Sequence, residues 1–143
     1  MSIIGGGSIQ KTLNFAPDRA GKIAFILSLR TSSLVFIASE TKFIKKFDIS
    51  TEACLLTIPD TNHSDAIGSM DQSHGNSNFI IVNTGKTGGL LIYDHSSAGT
   101  AALQTYFPVM STAAVHRTVF SESLPTRVIF HTNSEKIYFL DID

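Results

Sequence analysis

Residues 34–58 read Leu-Val-Phe-Ile-Ala-Ser-Glu-Thr-Lys-Phe-Ile-Lys-Lys-Phe-Asp-Ile-Ser-Thr-Glu-Ala-Cys-Leu-Leu-Thr-Ile. This is an apolar run, a polar turn, a second run ending in a bulky residue and Asp, another polar turn, and a third run. The chain then repeats the plan. The strand-ending pairs are Phe47-Asp48, Tyr93-Asp94 and Leu140-Asp141, so successive aspartates lie 46 and 47 residues apart. A period of about 40–50 residues with four short strands per unit is that of β-propeller blades. The expected fold is all-β, with about three four-stranded blades over residues 22–60, 61–108 and 109–143. Residues 1–21, with Gly5-Gly6-Gly7, read as a flexible N-terminal arm carrying an edge strand near Ile9–Phe15. Three units cannot close a ring, since propellers use about 4–8 blades. A β-sandwich made of the same strands is the alternative architecture.

Within this frame the strands read as Lys22–Leu29, Leu34–Ala38, Lys42–Ile49 and Ala53–Ile58, then Ala66–Met70, Phe79–Asn83, Leu90–Tyr93 and Ala101–Phe107. The third unit reads Ala113–Ser121, Arg127–His131 and Lys136–Ile142, one strand short of a blade. Leu34–Ala38 has no alternation, which predicts burial on both faces. In Lys42–Ile49 the residues Phe43, Phe47 and Ile49 fall on one side and Lys42 and Lys46 on the other. Clusters such as Asp71–Asn78 and Thr84–Gly89 are turn chemistry, because Gly and Asn tolerate left-handed backbone. No stretch reads as an amphipathic helix.

The chain has 143 residues, 43% of them apolar, enough for one core. A formal net charge of −1 supplies no broad field for nucleic acid. Cys54 is the only cysteine, which excludes an internal disulfide. The first residues lack the basic and apolar regions of a secretory signal, and no run reaches the about 18 apolar residues that span a bilayer. A cytoplasmic location is expected, with peripheral attachment to membranes as the second reading. Asn62-His63-Ser64 matches a glycosylation acceptor, read as chance where no signal precedes it.

Chemical motifs are sparse. Gly85-Lys86-Thr87 resembles the end of a phosphate-binding loop, but the required first glycine is replaced by Ile80 and no helix pattern follows, so a β-turn is the reading. His63, His74, His95, His116 and His131 lack the short pairwise spacings of a zinc site, and no metal or cofactor is expected. There is no Gly-x-Ser-x-Gly elbow. Asp94 and His95 are adjacent in a strand and point to opposite faces, so they make no dyad. No catalytic residue is assigned. Asp48, Asp94 and Asp141 are read as turn caps. Lys22, Lys42, Lys45 and Lys46 are read as a solvated strand edge. The six strand-ending residues Phe47, Asp48, Tyr93, Asp94, Leu140 and Asp141 are the structural positions of the blades.

The units resemble WD-repeat propellers, in which each third strand ends in Trp-Asp. Here the places hold Phe47-Asp48, Tyr93-Asp94 and Leu140-Asp141, with no tryptophan and no Gly-His before each blade, so the chain is similar to a degenerate member over residues 22–143. A narrower resemblance is to the PROPPINs, the phosphoinositide-binding propellers of autophagy. It rests on Ser39–Ser50 with Leu55-Leu56-Thr57-Ile58, on Phe79–Asp94, and on Ser134–Ile142. That family's lipid-binding Phe-Arg-Arg-Gly motif follows beyond the third of these blades, and no Arg-Arg pair occurs in the chain, so no lipid-contacting residue carries over. Ser-Thr-Glu-Ala-Cys after Ile49 also resembles divergent propellers of ribosome-assembly complexes.

These resemblances imply a non-catalytic protein-interaction scaffold, in autophagy if the PROPPIN likeness holds. The alternatives are a phosphoinositide-binding peripheral membrane effector and a propeller subunit of a ribosome-assembly complex. Expected partners are other proteins or the remaining blades of a ring. An arc of three blades is expected to expose two faces lined by residues such as Phe36, Ile81 and Ile129, and so to form homo-oligomers, aggregate or require a partner.

Overall fold

The structure is a computed structural model that describes Thr12 and residues 22–40, 43–58, 67–74, 78–84, 89–97, 102–108, 115–124 and 126–142. The edge strand expected near Ile9–Phe15 lies outside them. The described chain is all-β. Sheet 1 is β1 (Ile23–Ser28), β2 (Leu34–Ser39), β3 (Ile44–Asp48) and β4 (Ala53–Ile58). Sheet 2 is β5 (Ser69–Gln72), β6 (Phe79–Asn83), β7 (Gly89–Asp94) and β8 (Ala102–Pro108). Sheet 3 is β9 (Val115–Phe120), β10 (Arg127–Thr132) and β11 (Ile137–Asp141). Each sheet is an antiparallel meander in sequence order. The first strand of sheet 2 begins at Ser69, later than the expected Ala66, with Gly68 just before it donating its N–H to the Asn83 carbonyl at 2.9 Å.

The repeat seen in the sequence is a repeat of register. Val35 pairs with Phe47, Ile80 with Tyr93 and Val128 with Leu140. One step on, Leu34 pairs with Asp48, Phe79 with Asp94 and Arg127 with Asp141. The residue after each Asp donates its N–H to the residue before each second strand: Ile49 to Ser33 at 2.9 Å, His95 to Asn78 at 2.9 Å, and Ile142 to Thr126 at 2.8 Å. The three sheets are therefore aligned copies, and equivalent positions can be compared one by one.

First strands of successive sheets meet, β1 with β5 and β5 with β9, so the sheets fan out from a common side as blades. Alternation along each strand then gives sheet 2 one face toward sheet 1 and the other toward sheet 3. Phe36, Ile44, Leu56 and Ile58 of sheet 1 pack against Met70, Ile80, Val82, Leu91 and Tyr93 of sheet 2. Ile81, Leu90 and Ile92 on the other face of sheet 2 pack against Val115, Phe120, Val128 and Phe130 of sheet 3. Near the common side, Ser69 Oγ accepts the Thr118 N–H at 3.0 Å and Asp71 Oδ2 accepts the Phe120 N–H at 2.7 Å, pinning β5 to β9.

Phe36 and Ile81 are thus at 0% exposure between blades, not on open faces as the sequence reading held. Their equivalent in sheet 3, Ile129, is half-buried on a face with no following sheet among the described residues. There Val119, Ile129 and Phe139 form one row across three strands, and Arg117, His131 and Ile137 the next. Ile137 is 66% exposed and Phe139 63%. A groove of about 530 Å³ runs along this face. On the outward face of sheet 1, Val35, Ile37 and Phe47 form a small buried cluster, with Ile26 beside Ile37 largely exposed.

Candidate functional site

The two lysines of β3 overturn the reading of a solvated basic edge. β3 is the third of four strands, flanked by β2 and β4 on its two edges and by sheet 2 on one face. Lys45 and Lys46 are both buried, at 4% and 9% exposure; sheet 2 covers Lys46, while Lys45 pairs with Ile37 on the opposite, outward face. Lys22 is exposed, and Lys42 lies outside the described residues. Lys46 pairs with Phe36 across β2 and β3, and so shares the face that sheet 1 turns to sheet 2. The equivalent positions are Ile92 in sheet 2 and Phe139 in sheet 3. A charged residue stands in an apolar row.

What receives it is His95 of the next sheet. Lys46 Nζ lies 3.1 Å from His95 Nδ1 and 3.3 Å from the His95 carbonyl oxygen. An ammonium only donates, so Nδ1 accepts and the ring proton of the neutral imidazole sits on Nε2. His95 is 5% exposed and meets the Phe36 ring edge-on at 5.0 Å, while Lys46 Nζ lies 6.0 Å from the centre of that ring. Burial lowers the Lys46 pKa, because the charged form loses hydration. The position equivalent to His95 in sheet 3 is Ile142, which packs in the same cluster as Ile92. The first seam therefore holds a Lys–His pair where the second holds two isoleucines. The sequence treated His95 as one of five scattered histidines; the signal that finds it is the one-residue offset from Asp94, once the register is known.

The pair forms the floor of a cleft of about 230 Å³. One wall is the β1–β2 hairpin of sheet 1, including Arg30, Thr31 and Ser32; the other is Gln72, Asn78, His95 and Ser96 of sheet 2. Arg30 is tied at its backbone, where its N–H donates to Gln72 Oε1 at 2.8 Å, and its guanidinium stands 3.8 Å from Asp71. Thr31 has φ of 59°, a left-handed conformation uncommon for a β-branched residue.

The strand-ending aspartates divide. Asp48 Oδ1 accepts the Ser50 N–H at 2.8 Å and the hydroxyls of Ser50 at 2.6 Å and Ser33 at 2.7 Å, which hold its carboxyl down at about 2. Asp94 accepts the Ser96 N–H at 2.9 Å, and hydrogen bonds from Ser96 lower its pKa. Both close a turn. Asp141 does not: Arg127 donates from Nε at 2.7 Å and from Nη2 at 2.9 Å, lowering the Asp141 pKa and raising its own. The difference follows from the partner at the paired position, which is Arg127 in sheet 3 but Leu34 and Phe79 in the others. Tyr93 is fully buried against sheet 1, Phe47 lies in the outward cluster of sheet 1, and Leu140 is half-buried against sheet 2. His116 and His131 lie side by side, with ring centres 5.7 Å apart. Among the described residues no group of three or more His, Cys, Asp or Glu side chains could hold a metal.

No family model and no curated protein matches the chain. Solved structures do. A chain of the mitotic checkpoint complex is similar over 84% of this chain, with a TM-score of 0.71 and 20% identity. The WD40 repeats of RRP9 are similar over 84%, with a TM-score of 0.71 and 16% identity. This chain spans 36% and 35% of those two chains. The fold is that of a WD-repeat β-propeller, with three blade sheets of an incomplete ring among the described residues. At these identities the likeness carries the architecture alone.

Proposed function

We propose that the chain is a non-catalytic WD-repeat-type segment that acts by binding protein, and that the outward face of sheet 3 is where a further antiparallel sheet of a partner polypeptide docks. One observation carries this. Val119, Ile129, Ile137 and Phe139 form the face that, in sheets 1 and 2, is buried against the next sheet; here Ile137 is 66% and Phe139 63% exposed. The docking geometry is thus already used twice within the molecule, by Phe36 and by Ile81. Burying each exposed side chain contributes about 1.5–3 kcal/mol, and apolar area of this kind marks an interaction site. Autophagy and phosphoinositide binding rest on the likeness of short blade stretches. A ribosome-assembly role rests on the short Ser50–Cys54 stretch, so none of these roles enters the proposal.

Sedimentation velocity of the purified chain at low micromolar concentration tests it, a second copy being the partner sheet at hand. The expected result is association that disappears in Ile137→Ser/Phe139→Ser, with thermal unfolding of the variant unchanged and the β11 amides protected from exchange only in the associated state. A wild-type chain that stays monomeric, unfolds cooperatively and matches the variant would overturn it.

A further inference from the structure

The cleft at the first seam is separate from the open face of sheet 3 and has a different chemistry. Its volume of about 230 Å³ accommodates one side chain, not a helix about 10 Å across. Lys46 at its floor has two neutral acceptors, both on His95, and an ammonium has three N–H donors. The carboxylates on the sheet 2 side are engaged elsewhere. Asp71 accepts the N–H groups of Gln72 and Phe120, and Asp94 accepts that of Ser96. Arg30 at the mouth is 47% exposed and only 3.8 Å from Asp71, long for a hydrogen-bonded pair. A buried cation with no counter-charge beside it among the described residues and a second cation at the entrance, joined by the polar hairpin residues Thr31 and Ser32, match an anionic oxygen. The second seam shows that the fold does not need this, since it packs Ile92 with Ile142 in the same places.

We propose that the cleft binds a single anionic side chain, phosphorylated or carboxylate, of a partner polypeptide, with Lys46 meeting it at the floor and Arg30 at the mouth. A polypeptide fits better than a bilayer. Among the described residues, none of the exposed large apolar side chains, Ile23, Ile26, Ile49, Leu55, Leu124, Ile137 and Phe139, lines the cleft, whereas attachment to a membrane surface draws on buried apolar area beside the charges.

The test is an NMR titration of the full labelled chain with end-blocked Gly-Ser-X-Ser-Gly peptides, where X is phosphoserine, aspartate or serine. Parallel arms use inorganic phosphate, and phosphatidylcholine vesicles with and without phosphatidylinositol phosphate. The phosphoserine or aspartate peptide is expected to shift the amides of Arg30, Thr31, Ser32 and Ser96 and to raise the titration midpoint of the Lys46 side chain, with the serine peptide inert. Arg30→Gln, at a surface side chain, should weaken binding about tenfold, the loss of one charge-assisted contact. Ile137→Ser/Phe139→Ser should bind as wild type, which separates this site from the docking face. The proposal is overturned if charged and serine peptides act alike, or if Arg30→Gln binds unchanged. It is equally overturned if phosphate alone binds as tightly as the peptides, or if only the phosphoinositide vesicles respond.

Discussion

Lys46 of sheet 1 and His95 of sheet 2 meet at 3.1 Å across the first seam, at the places that Ile92 and Ile142 fill across the second. The two seams are otherwise built alike, from β-branched and aromatic residues on aligned registers. A buried polar pair is weak evidence for stability, because the desolvation of its members offsets their attraction. Removing one member strands the other, while replacing both by apolar residues of similar size is close to neutral or stabilising.

Lys46→Met should therefore destabilise the chain by about 1–3 kcal/mol. The double variant Lys46→Ile/His95→Ile should be as stable as wild type or more so. Burial lowers the Lys46 pKa in the folded state below that of the unfolded chain. As pH rises the folded state gives up this proton first, so wild type should gain stability relative to the double variant from the depressed pKa up toward 10.5. Denaturant melts of both proteins across alkaline pH measure the difference.

Tyr93→Ala and Phe47→Ala should each cost about 3–5 kcal/mol, since both rings are buried in apolar clusters. Leu140→Ala, at the same register position but half-buried, should cost about 1–2 kcal/mol. Chemical denaturation gives all three values. Equal losses at the three sites would mean that sheet 3 is covered on its first face as fully as the others.

Asp48 should titrate near 2, held there by hydrogen bonds from Ser50 and Ser33. Its folded pKa is below the unfolded 3.8, so its contribution is present above that value and is lost as pH falls toward 2. Carboxyl-carbon NMR of the folded chain gives the midpoint directly. In Ser50→Ala the midpoint should rise toward the unfolded value, as the largest of the lowering contacts is removed.

Gly68→Ala should destabilise by about 1–3 kcal/mol through overpacking. A Cβ at Gly68 would run into the side-chain amide of Asn83. That amide donates to Ser69 at 2.9 Å and reaches Thr118 Oγ1 at 3.4 Å, the network that ties sheet 2 to sheet 3. Loss of exchange protection at the Thr118 amide, which Ser69 accepts, would locate the damage.

The sequence by itself determined the strands and their repeat. Period-two patterning, turn clusters and the pairs at Phe47-Asp48, Tyr93-Asp94 and Leu140-Asp141 are local signals, and antiparallel meanders with short turns convert them directly into three aligned sheets. It also marked Phe36, Ile81 and Ile129 as equivalent, because each is the third residue of a second strand. What it could not decide was which faces meet. Burial of Phe36 and Ile81 depends on a sheet some 45 residues further on, about one blade period, while Ile129 stays half open because no described sheet follows. The same limit hid Lys46. A lysine that shares one side of a short strand with Lys42 reads as solvated on local grounds, and only the packing of sheet 2 over that face removes its water and places His95 against its ammonium.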